Sequence, residues 1–281
     1  MDLYKKTGYL NSEFKIFHII DNNKKSFSYH YHDFFKVLIF ISGNVSYHIE
    51  GKSYSLKDYD IVLINPSEIH RPVIHDYAPY ERIIIYLSQD FFNSYKEKGF
   101  DLSYCFKRVK ETNSNIISFN KKSNKLYNEI SNLRDSFNNN DSLNELYKKV
   151  IFIKFMILLN NYLSNNTMSI STESTSNKKI LEVLSYINNN LSSNINIDNI
   201  SSKFYINKSY LMHLFKKETG YTIIQYITEK RLFKARNLIL NGYSLTDACF
   251  NCGFKNYSTF FRSFKNKFKV SPKDISSLDH F

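Results

Sequence analysis

The stretch SYLMHLFKKETGYTIIQYITEKRLFKARNLIL, residues 209–240, decides the fold of the C-terminal part of the chain. Apolar residues recur at spacings of three and four on both sides of Gly220, which is the pattern of two amphipathic helices. Glycine commonly follows a helix C-terminus, so Gly220 predicts the turn between them. The second helix is predicted from about Ile223 to Asn241, and at 1.5 Å per residue it is roughly 27 Å long.

A near-repeat surrounds this stretch. The first copy is INIDNISSKFYINKSYLMHLFKKETG, residues 195–220, and the second is SLTDACFNCGFKNYSTFFRSFKNKF, residues 244–268. Each copy contains a short apolar helix, a tight turn and a second helix that ends in Phe-Lys. This is the helix-turn-helix plan, in which the second helix of each unit can enter a DNA major groove.

The region resembles the AraC-type DNA-binding domain, over residues 209–240 and GFKNYSTFFRSFKNKFKVSPKDI, residues 253–275. The blocks Phe-Lys-x-x-x-Gly, Arg-x-x-x-Ala-Arg and Gly-Phe fall in order. The resemblance implies two helix-turn-helix units joined by a long helix and a sequence-specific transcription regulator of double-stranded DNA. Activation is the commoner outcome in this family, and RNA polymerase is a further expected partner. The length predicted for the joining helix suits two recognition helices about one DNA turn, ~34 Å, apart.

Helical phase separates a solvent face from a core face on each recognition helix. The predicted base contacts are Ser209, Met212 and His213 in the first unit and Tyr257, Ser258, Phe261 and Arg262 in the second. Arg262 is the principal candidate, because an arginine can bind guanine with two hydrogen bonds, worth about 1–3 kcal/mol of discrimination. The family commonly has arginine at the position of His213, so strong guanine reading by the first unit is put in doubt. The predicted phosphate contacts are Lys216, Lys217, Arg231, Lys255 and Lys265; the alternative is that they are solvated charges.

Charge supports a polyanionic partner for the C-terminal part. The net charge is +12, and residues 178–281 carry 16 Lys+Arg against 7 Asp+Glu, whereas residues 1–177 carry 22 against 19. A compact basic domain beside a nearly neutral one is typical of nucleic-acid binding, although a merely basic surface would give the same count.

The N-terminal half has a different texture. From about residue 14 to 88, short apolar segments alternate with turn signals, which predicts the strands of a sandwich or barrel. Residues 126–137 and 143–163 have helical periodicity. The second of these helices carries a broad apolar stripe, formed by Leu143, Leu146, Tyr147, Val150, Ile153, Phe155, Ile157 and Leu158. That width favours two partners, the barrel and a second subunit in a homodimer; packing within the chain alone is the alternative.

These patterns predict an α+β two-domain protein. The resemblance to the AraC-type family implies that the barrel, over residues 1–120, is a cupin-like sensor. We further expect a helical and potentially dimerising segment over 121–163, a polar linker over 164–177, and an all-α double helix-turn-helix domain over 178–281.

The stretches HYHDFFKVLIFISG, residues 30–43, and LKDYDIVLINPSEIHRP, residues 56–72, resemble the cupin-like barrels that serve as effector sensors in this family. On a strand, His30, His32 and Lys36 share one face. Two histidines at this spacing are half of a metal site, but Lys36 stands where such a site would want a carboxylate. A cation beside a divalent ion is unfavourable by a few kcal/mol at an effective dielectric near ~20. We therefore predict no metal and no cofactor.

The predicted alternative is a pocket for a small polar or anionic effector, lined by His30, His32, Lys36, Glu68, His70 and Arg71. Glu68 is a candidate internal partner for Lys36. Hydrogen-bonded histidines without any ligand are the remaining alternative.

Two further functions are alternatives to the effector-controlled regulator. A ligand-independent regulator would be controlled by abundance or by a partner protein, and a cupin enzyme would need the missing carboxylate. No catalytic residues and no enzyme activity are predicted. The pair Cys249 and Cys252 is expected to be buried and apolar rather than zinc-binding, and the three cysteines indicate reduced thiols in a cytoplasmic protein. The longest apolar run, residues 151–159, contains Lys154 and is too short to span a bilayer, so no membrane association is predicted.

Overall fold

The structure is a computed structural model that describes residues 8, 10–96, 99–119, 125–138, 144–165 and 177–277. The chain divides into two compact units, one within residues 4–175 and the other within residues 176–281. Most of the predicted linker, 164–177, lies outside the described residues, as does Leu143 of the predicted apolar stripe.

Eight described strands build the N-terminal unit. They are β1 (Phe14–Asp21), β2 (Phe35–Ser42), β3 (Val45–Ile49), β4 (Lys52–Ser55), β5 (Ile61–Ile64), β6 (His70–Ile74), β7 (Tyr80–Leu87) and β8 (Ile116–Ile117). One sheet has the order β1-β7-β2-β5-β8 and the other has the order β4-β3-β6, with antiparallel pairing in both. The predicted cupin-like, β-rich domain is thus confirmed.

Strand β2 is apolar on both faces because each face meets a different layer. Leu38 and Phe40 point into a core between the two sheets, together with Tyr47. Val37 and Ile39 point to the opposite side, where the helices pack on the larger sheet. This double burial explains why β2 reads as a continuous apolar run rather than an alternating one.

The stretch from His30 to Ser42 is not one strand, in contrast to the prediction. His30 forms an isolated bridge with His70, a bend follows at Asp33 and Phe34, and β2 begins only at Phe35. A β-bulge near Phe40 further bends β2 against β7. The simple alternation of faces along one strand therefore does not apply before Phe35.

Helices of the N-terminal unit cover the larger sheet. They are α1 (Gln89–Ser94), α2 (Tyr104–Glu111), α3 (Lys125–Asp135) and α4 (Asn144–Asn165), with a 3₁₀ turn at Ser136–Asn138. Their buried side chains, such as Phe91, Phe106, Ile130 and Phe152, form one core with the outer face of the sheet. Helix thus begins at residue 89, within the segment predicted as barrel.

The C-terminal unit is all-helical. It contains α5 (Lys178–Asn189), α6 (Ile197–Lys203), α7 (Lys208–Thr219), α8 (Ile223–Leu240), α9 (Leu245–Asn251) and α10 (Tyr257–Phe268), with a 3₁₀ segment at Pro272–Ser277. Polar side chains cap the N-termini from α6 to α10: Asn196, Asn207, Thr222, Ser244 and Asn256. At the start of α8, Thr222 and Gln225 form a reciprocal capping box. These caps satisfy the first free backbone N–H groups of each helix and fix where it starts.

The predicted helix-turn-helix organisation is confirmed. Helices α6 and α7 form the first unit, α9 and α10 form the second, and α8 joins them. Gly220 ends α7 with a positive φ of 76°, a conformation that glycine adopts without steric penalty. Among the described helices, none is both long enough and apolar enough to cross a membrane.

Candidate functional site

The first recognition helix, α7, presents the face predicted from its phase. Its buried side is formed by Leu211, Leu214 and Phe215. The predicted base contacts are all exposed: Ser209, Met212 and His213. Tyr210, which the sequence analysis left out, is also 58% exposed and borders this face. An exposed phenol can both stack and donate a hydrogen bond, so Tyr210 belongs with the candidate contacts.

The second recognition helix, α10, packs through Phe260 and Phe264, both fully buried. Three of its predicted base contacts are exposed: Tyr257, Ser258 and Arg262. Phe261 is only partly exposed, and its ring lies 6.2 Å from that of Tyr257. Arg262 lies along the helix surface, where its Nε donates a long hydrogen bond of 3.4 Å to the carbonyl oxygen of Ser258.

Four of the five predicted phosphate contacts are exposed lysines: Lys216, Lys217, Lys255 and Lys265. Lys216 and Lys265 lie in the last turn of α7 and α10, where they also interact favourably with the helix dipole. Cationic side chains at the flanks of a recognition helix are suited to backbone phosphates rather than to base edges.

Arg231 does not belong with these lysines. Its Nε donates to the carbonyl oxygen of Leu191 at 2.8 Å, and its Nη2 donates to that of Ser193 at 2.7 Å. The guanidinium therefore ties the loop between α5 and α6 to α8, and burial lowers the pKa of Arg231. Arg231, predicted as a phosphate contact, thus binds backbone carbonyl groups within its own domain.

A cluster of three histidines lies in the N-terminal unit, formed by His30, His32 and His70. Their candidate ligand nitrogens all lie within 4.8 Å of one another. The backbones of His30 and His70 exchange hydrogen bonds of 3.0 and 2.9 Å, which hold the two side chains in register. His32 and His70 are buried, and His30 lies at the partly exposed edge. The Nε2 atoms of His32 and His70 are 3.2 Å apart.

Backbone carbonyls fix two of the three imidazole tautomers. Nδ1 of His30 lies 2.9 Å from the carbonyl oxygen of Ser28, and Nδ1 of His70 lies 2.9 Å from that of Glu68. A carbonyl only accepts, so Nδ1 carries the proton in both rings, and Nε2 of each neutral ring is left with a lone pair. Nε2 of His32 accordingly donates to Nε2 of His70.

Burial disfavours the charged forms of His30 and His70. Desolvation, followed by the nearby charge of Lys36, lowers the pKa of His30 to about 4. The same two causes hold the pKa of His70 well below its ordinary value. Lys36 is itself buried and donates to Tyr47 Oη at 3.1 Å. Burial, with a smaller effect of Arg82, lowers the pKa of Lys36 to about 7.

Two predicted pocket residues do not join the cluster. Glu68 accepts from the backbone N–H of Asn65 and from the side chain of Asn115, both at 2.9 Å, and its charge acts on Lys52. It is not the partner predicted for Lys36. Arg71 follows His70 on β6 and faces the other way, with its guanidinium 4.3 Å from the ring centre of Tyr29. Successive residues of a strand point to opposite faces, so His70 and Arg71 cannot line one pocket.

A separate surface cavity of about 270 Å³ lies outside the barrel. It opens between the start of β2 and helices α1 and α2, where Phe35, Phe92 and Phe106 contribute aromatic surface. Lysines 96, 107 and 110 also line it, and Lys107 is paired with Asp101. No local sequence pattern indicates this cavity, because it forms only where α1 and α2 pack beside Phe35 and Asn65.

Helix α4 leaves part of its predicted apolar stripe uncovered. Leu146, Tyr147 and Val150 are 63%, 57% and 55% exposed, and Ile157 is 39% exposed. The buried face of α4 includes Phe155 of that stripe, together with Phe152 and Leu159, which the predicted stripe did not contain. Among the residues that the structure describes, therefore, only one side of this helix is packed.

The three cysteines are buried free thiols. Cys249 and Cys252 lie in the apolar core beneath α9 and α10, with Ala248 and Phe260. Burial raises the pKa of Cys252 to about 11, so its thiol is protonated at neutral pH. The prediction of small buried hydrophobes is confirmed for this pair.

The β-rich N-terminal unit and the exposed faces of α7 and α10 define a two-domain protein with a barrel and a double helix-turn-helix domain. A family model described as an AraC-like ligand binding domain matches residues 15–154, and one described as a helix-turn-helix domain matches residues 200–277. The chain belongs to the AraC-type family.

Individual relatives are distant. The HTH-type transcriptional activator RhaS of Klebsiella pneumoniae is 28% identical over 130 residues, which are 46% of this chain and 45% of that protein. The match thus spans about half the length of the relative. A solved structure of ToxT from Vibrio cholerae is 17% identical and covers 94% of this chain and 97% of that one, with a TM-score of 0.35. An AraC-type regulator from Chromobacterium violaceum is 26% identical over 35% of this chain and 89% of that one, with a TM-score of 0.34.

Proposed function

We propose that this protein is a sequence-specific, DNA-binding transcription regulator whose helices α7 and α10 enter the major groove of double-stranded DNA. The observation that carries the proposal is the paired arrangement. Each recognition helix buries an apolar side and exposes polar, aromatic and cationic side chains, and both are joined by α8. The eighteen residues of α8 extend roughly 27 Å. This length suits two recognition helices that enter successive major grooves on one face of the DNA.

Salt dependence tests the proposal. If Lys216, Lys217, Lys255 and Lys265 each displace one counterion, affinity for a random duplex falls about 100-fold between ~50 and ~200 mM salt. The measurement is a titration of full-length protein against labelled duplex at several salt concentrations. A variant in which Lys125, on α3, is changed to Met is the matched control and should keep the full slope. An affinity that hardly changes with salt would contradict phosphate binding.

The N-terminal barrel is proposed to sense a small polar or anionic effector beside Lys36. Lys36 is a buried amine whose hydrogen-bond partner, Tyr47 Oη, is neutral, so an anionic group would complement it. Thermal-shift screening of small organic acids against the full chain and Lys36→Met tests this. Acids that stabilise only the native sequence support the proposal, whereas equal stabilisation of both proteins contradicts it. Stabilisation by no acid favours the alternative, a regulator controlled by abundance or by a partner protein.

A homodimer through α4 is the third part of the proposal. Leu146, Tyr147 and Val150 form an exposed apolar stripe on a helix whose other side is packed, and such stripes on soluble proteins mark interaction surfaces. Light scattering of the native chain should give twice the chain mass, and Val150→Glu should give the monomer mass. Lys125→Glu, on the exposed side of α3, is the control. A native monomer, or a dimer that survives Val150→Glu, would contradict this interface.

We further propose that the protein acts in the cytoplasm, activates transcription with RNA polymerase as partner, and catalyses no reaction. The relatives matched are transcription regulators, and RhaS is named as an activator. A reporter assay with a mapped target promoter distinguishes activation from repression.

A further inference from the structure

The turn of the first helix-turn-helix unit contains an exposed tyrosine in the left-handed backbone conformation. Tyr205 directly follows Phe204, the C-cap of α6, and its φ is 52°. Residues with a Cβ rarely adopt this conformation, and asparagine, aspartate and histidine are enriched among the exceptions. A tyrosine there means that the chain carries backbone strain at the point where it turns towards α7.

The second helix-turn-helix unit makes the same turn with a glycine. Gly253 directly follows Cys252, the C-cap of α9, and its φ is +85°. A Cβ on Gly253 would lie 2.3 Å from the carbonyl oxygen of Leu191, so packing excludes any side chain at this position. Tyr205 is 92% exposed, so the first unit leaves the corresponding position open to solvent. Only the first turn therefore has room for a side chain that points away from the domain.

No contact of the Tyr205 side chain offsets this strain within the part of the chain that the structure describes. Tyr59 shows what such an offset looks like: its φ is 71°, and its ring packs edge-on against that of Tyr127 at 4.8 Å. Tyr205 has neither a ring contact nor a side-chain hydrogen bond to any described residue. Strained residues concentrate at functional sites, where the strain serves a contact made by the folded protein. Tyr205 is therefore a candidate for a contact with an external partner.

The position of the turn identifies that partner. In a helix-turn-helix unit the first helix crosses the sugar-phosphate backbone, and the second enters the major groove with its N-terminal residues. The turn that joins α6 to α7 consequently passes beside the backbone, and Tyr205 lies three residues before Lys208, where α7 begins. The exposed Lys203, two residues before Tyr205, adds a positive charge that attracts phosphate. Tyrosine hydroxyls are among the groups that donate hydrogen bonds to DNA phosphates.

We propose that Tyr205 donates a hydrogen bond from its Oη to a phosphate at the edge of the groove that α7 enters. The inference rests on the proposed DNA binding and adds to it a neutral positioning residue in the turn, apart from the lysines at the helix ends. A phosphate contact carries no sequence information, so Tyr205 contributes affinity and orientation rather than base discrimination. The DNA contact offsets the backbone strain that the free protein carries.

Removal of the hydroxyl group tests this contact. Full-length protein is titrated with a preferred duplex and with a random duplex at several salt concentrations. Tyr205→Phe should weaken binding to both duplexes by about 10-fold, because a hydrogen bond to a charged group is lost. The salt slope should not change, because a neutral phenol displaces no counterion. Tyr77→Phe is the matched control: Tyr77 is 79% exposed in the other unit, and its variant should bind as the native protein does.

Tyr205→Gly separates a DNA contact from a role in folding. The melting temperature should not fall, because relief of the positive φ offsets the greater freedom of glycine in the unfolded chain. Binding should weaken at least as much as in Tyr205→Phe. A clear fall in melting temperature would assign the ring a structural role and overturn the proposal, as would native affinity in Tyr205→Phe. Native protein that binds neither duplex would contradict the proposed function itself, and this contact with it.

Discussion

Lys267 of the second recognition helix forms an ion pair with Glu229 of α8, and the two side chains are only 2% and 3% exposed. Burial is the main cause that lowers the pKa of Lys267 and raises that of Glu229. The ammonium of Lys267 also lies 5.2 Å from the ring centre of Phe233. Because these contacts join α10 to α8, the ion pair fixes the orientation of the second recognition helix, α10, relative to α8.

Breaking that pair should be more harmful than replacing it. Lys267→Met leaves the Glu229 carboxylate buried without its cation, and we expect a loss of about 3–5 kcal/mol in unfolding free energy. The double change Glu229→Gln with Lys267→Met should recover most of that loss, because no charge then remains buried. Urea unfolding of the four proteins measures the coupling. Additive effects of the two single changes would show that the pair is not a unit.

Gly253 should tolerate no side chain. A Cβ at this position would lie 2.3 Å from the carbonyl oxygen of Leu191 and 2.9 Å from Nη2 of Arg231, and φ is +85°. Gly242 has a similar φ of +86°, but a Cβ there would have nothing within 4 Å. An alanine at Gly242 therefore measures the cost of the positive φ alone. We expect Gly242→Ala to be destabilising by about 1 kcal/mol and Gly253→Ala by at least ~1–3 kcal/mol more, from the added overpacking. Equal thermal unfolding shifts for both changes would contradict the packing described for Arg231.

Arg262 and Lys265 lie one turn apart on α10, but their substitution should affect DNA binding differently. Arg262→Ala should remove about 1–3 kcal/mol of discrimination between a preferred site and random duplex. Lys265→Ala should weaken binding to both duplexes alike and reduce the salt slope by about 1. Competition titrations with the two duplexes make the comparison. The assignment is contradicted if both changes reduce the specificity ratio equally.

Lys36 should make stability depend on pH. Its folded pKa, about 7, is below the ordinary value of 10.5, so between these values the unfolded chain binds the extra proton. Stability contributed by this group therefore rises with pH from about 7 to 10.5, and its penalty is fully present below pH 7. Lys36→Met should stabilise the N-terminal unit by about 1–4 kcal/mol near neutral pH and flatten the rise. The measurement is the unfolding free energy at pH 6, 7.5 and 9. The control Lys125→Met, on the exposed side of α3, should leave the pH profile unchanged. If Lys36→Met keeps the native pH profile, Lys36 is not the source of the pH dependence.

Helical phase carried most of what could be predicted about the DNA-binding unit. The period of 3.6 separates Phe260 and Phe264 from Ser258 and Arg262 without knowledge of the fold. Arg231 could not be assigned in this way, because its partners are carbonyl groups some forty residues earlier in the chain. Tertiary contacts of that range leave no local pattern.

In the barrel, some contacts follow from sequence and others do not. Strand alternation alone separates Arg71 from His70, so the sequence already opposes a pocket that both side chains line. The bend before Phe35 and the position of Glu68 depend on neighbouring strands and on Asn115, which only the fold brings together. The exposed stripe of α4 likewise required the structure, because an all-round apolar helix does not indicate which side its own chain covers.

Selection of bound sequences from a random duplex pool by the full-length protein tests the central proposal most directly. Two recognition helices joined by α8 predict a site with two short conserved blocks, centred about one helical turn, 10–11 base pairs, apart. Arg262→Ala should erase the sequence preference of one block and leave the other intact. A pool without enrichment, or a single block that survives changes on both α7 and α10, would contradict recognition by paired helices.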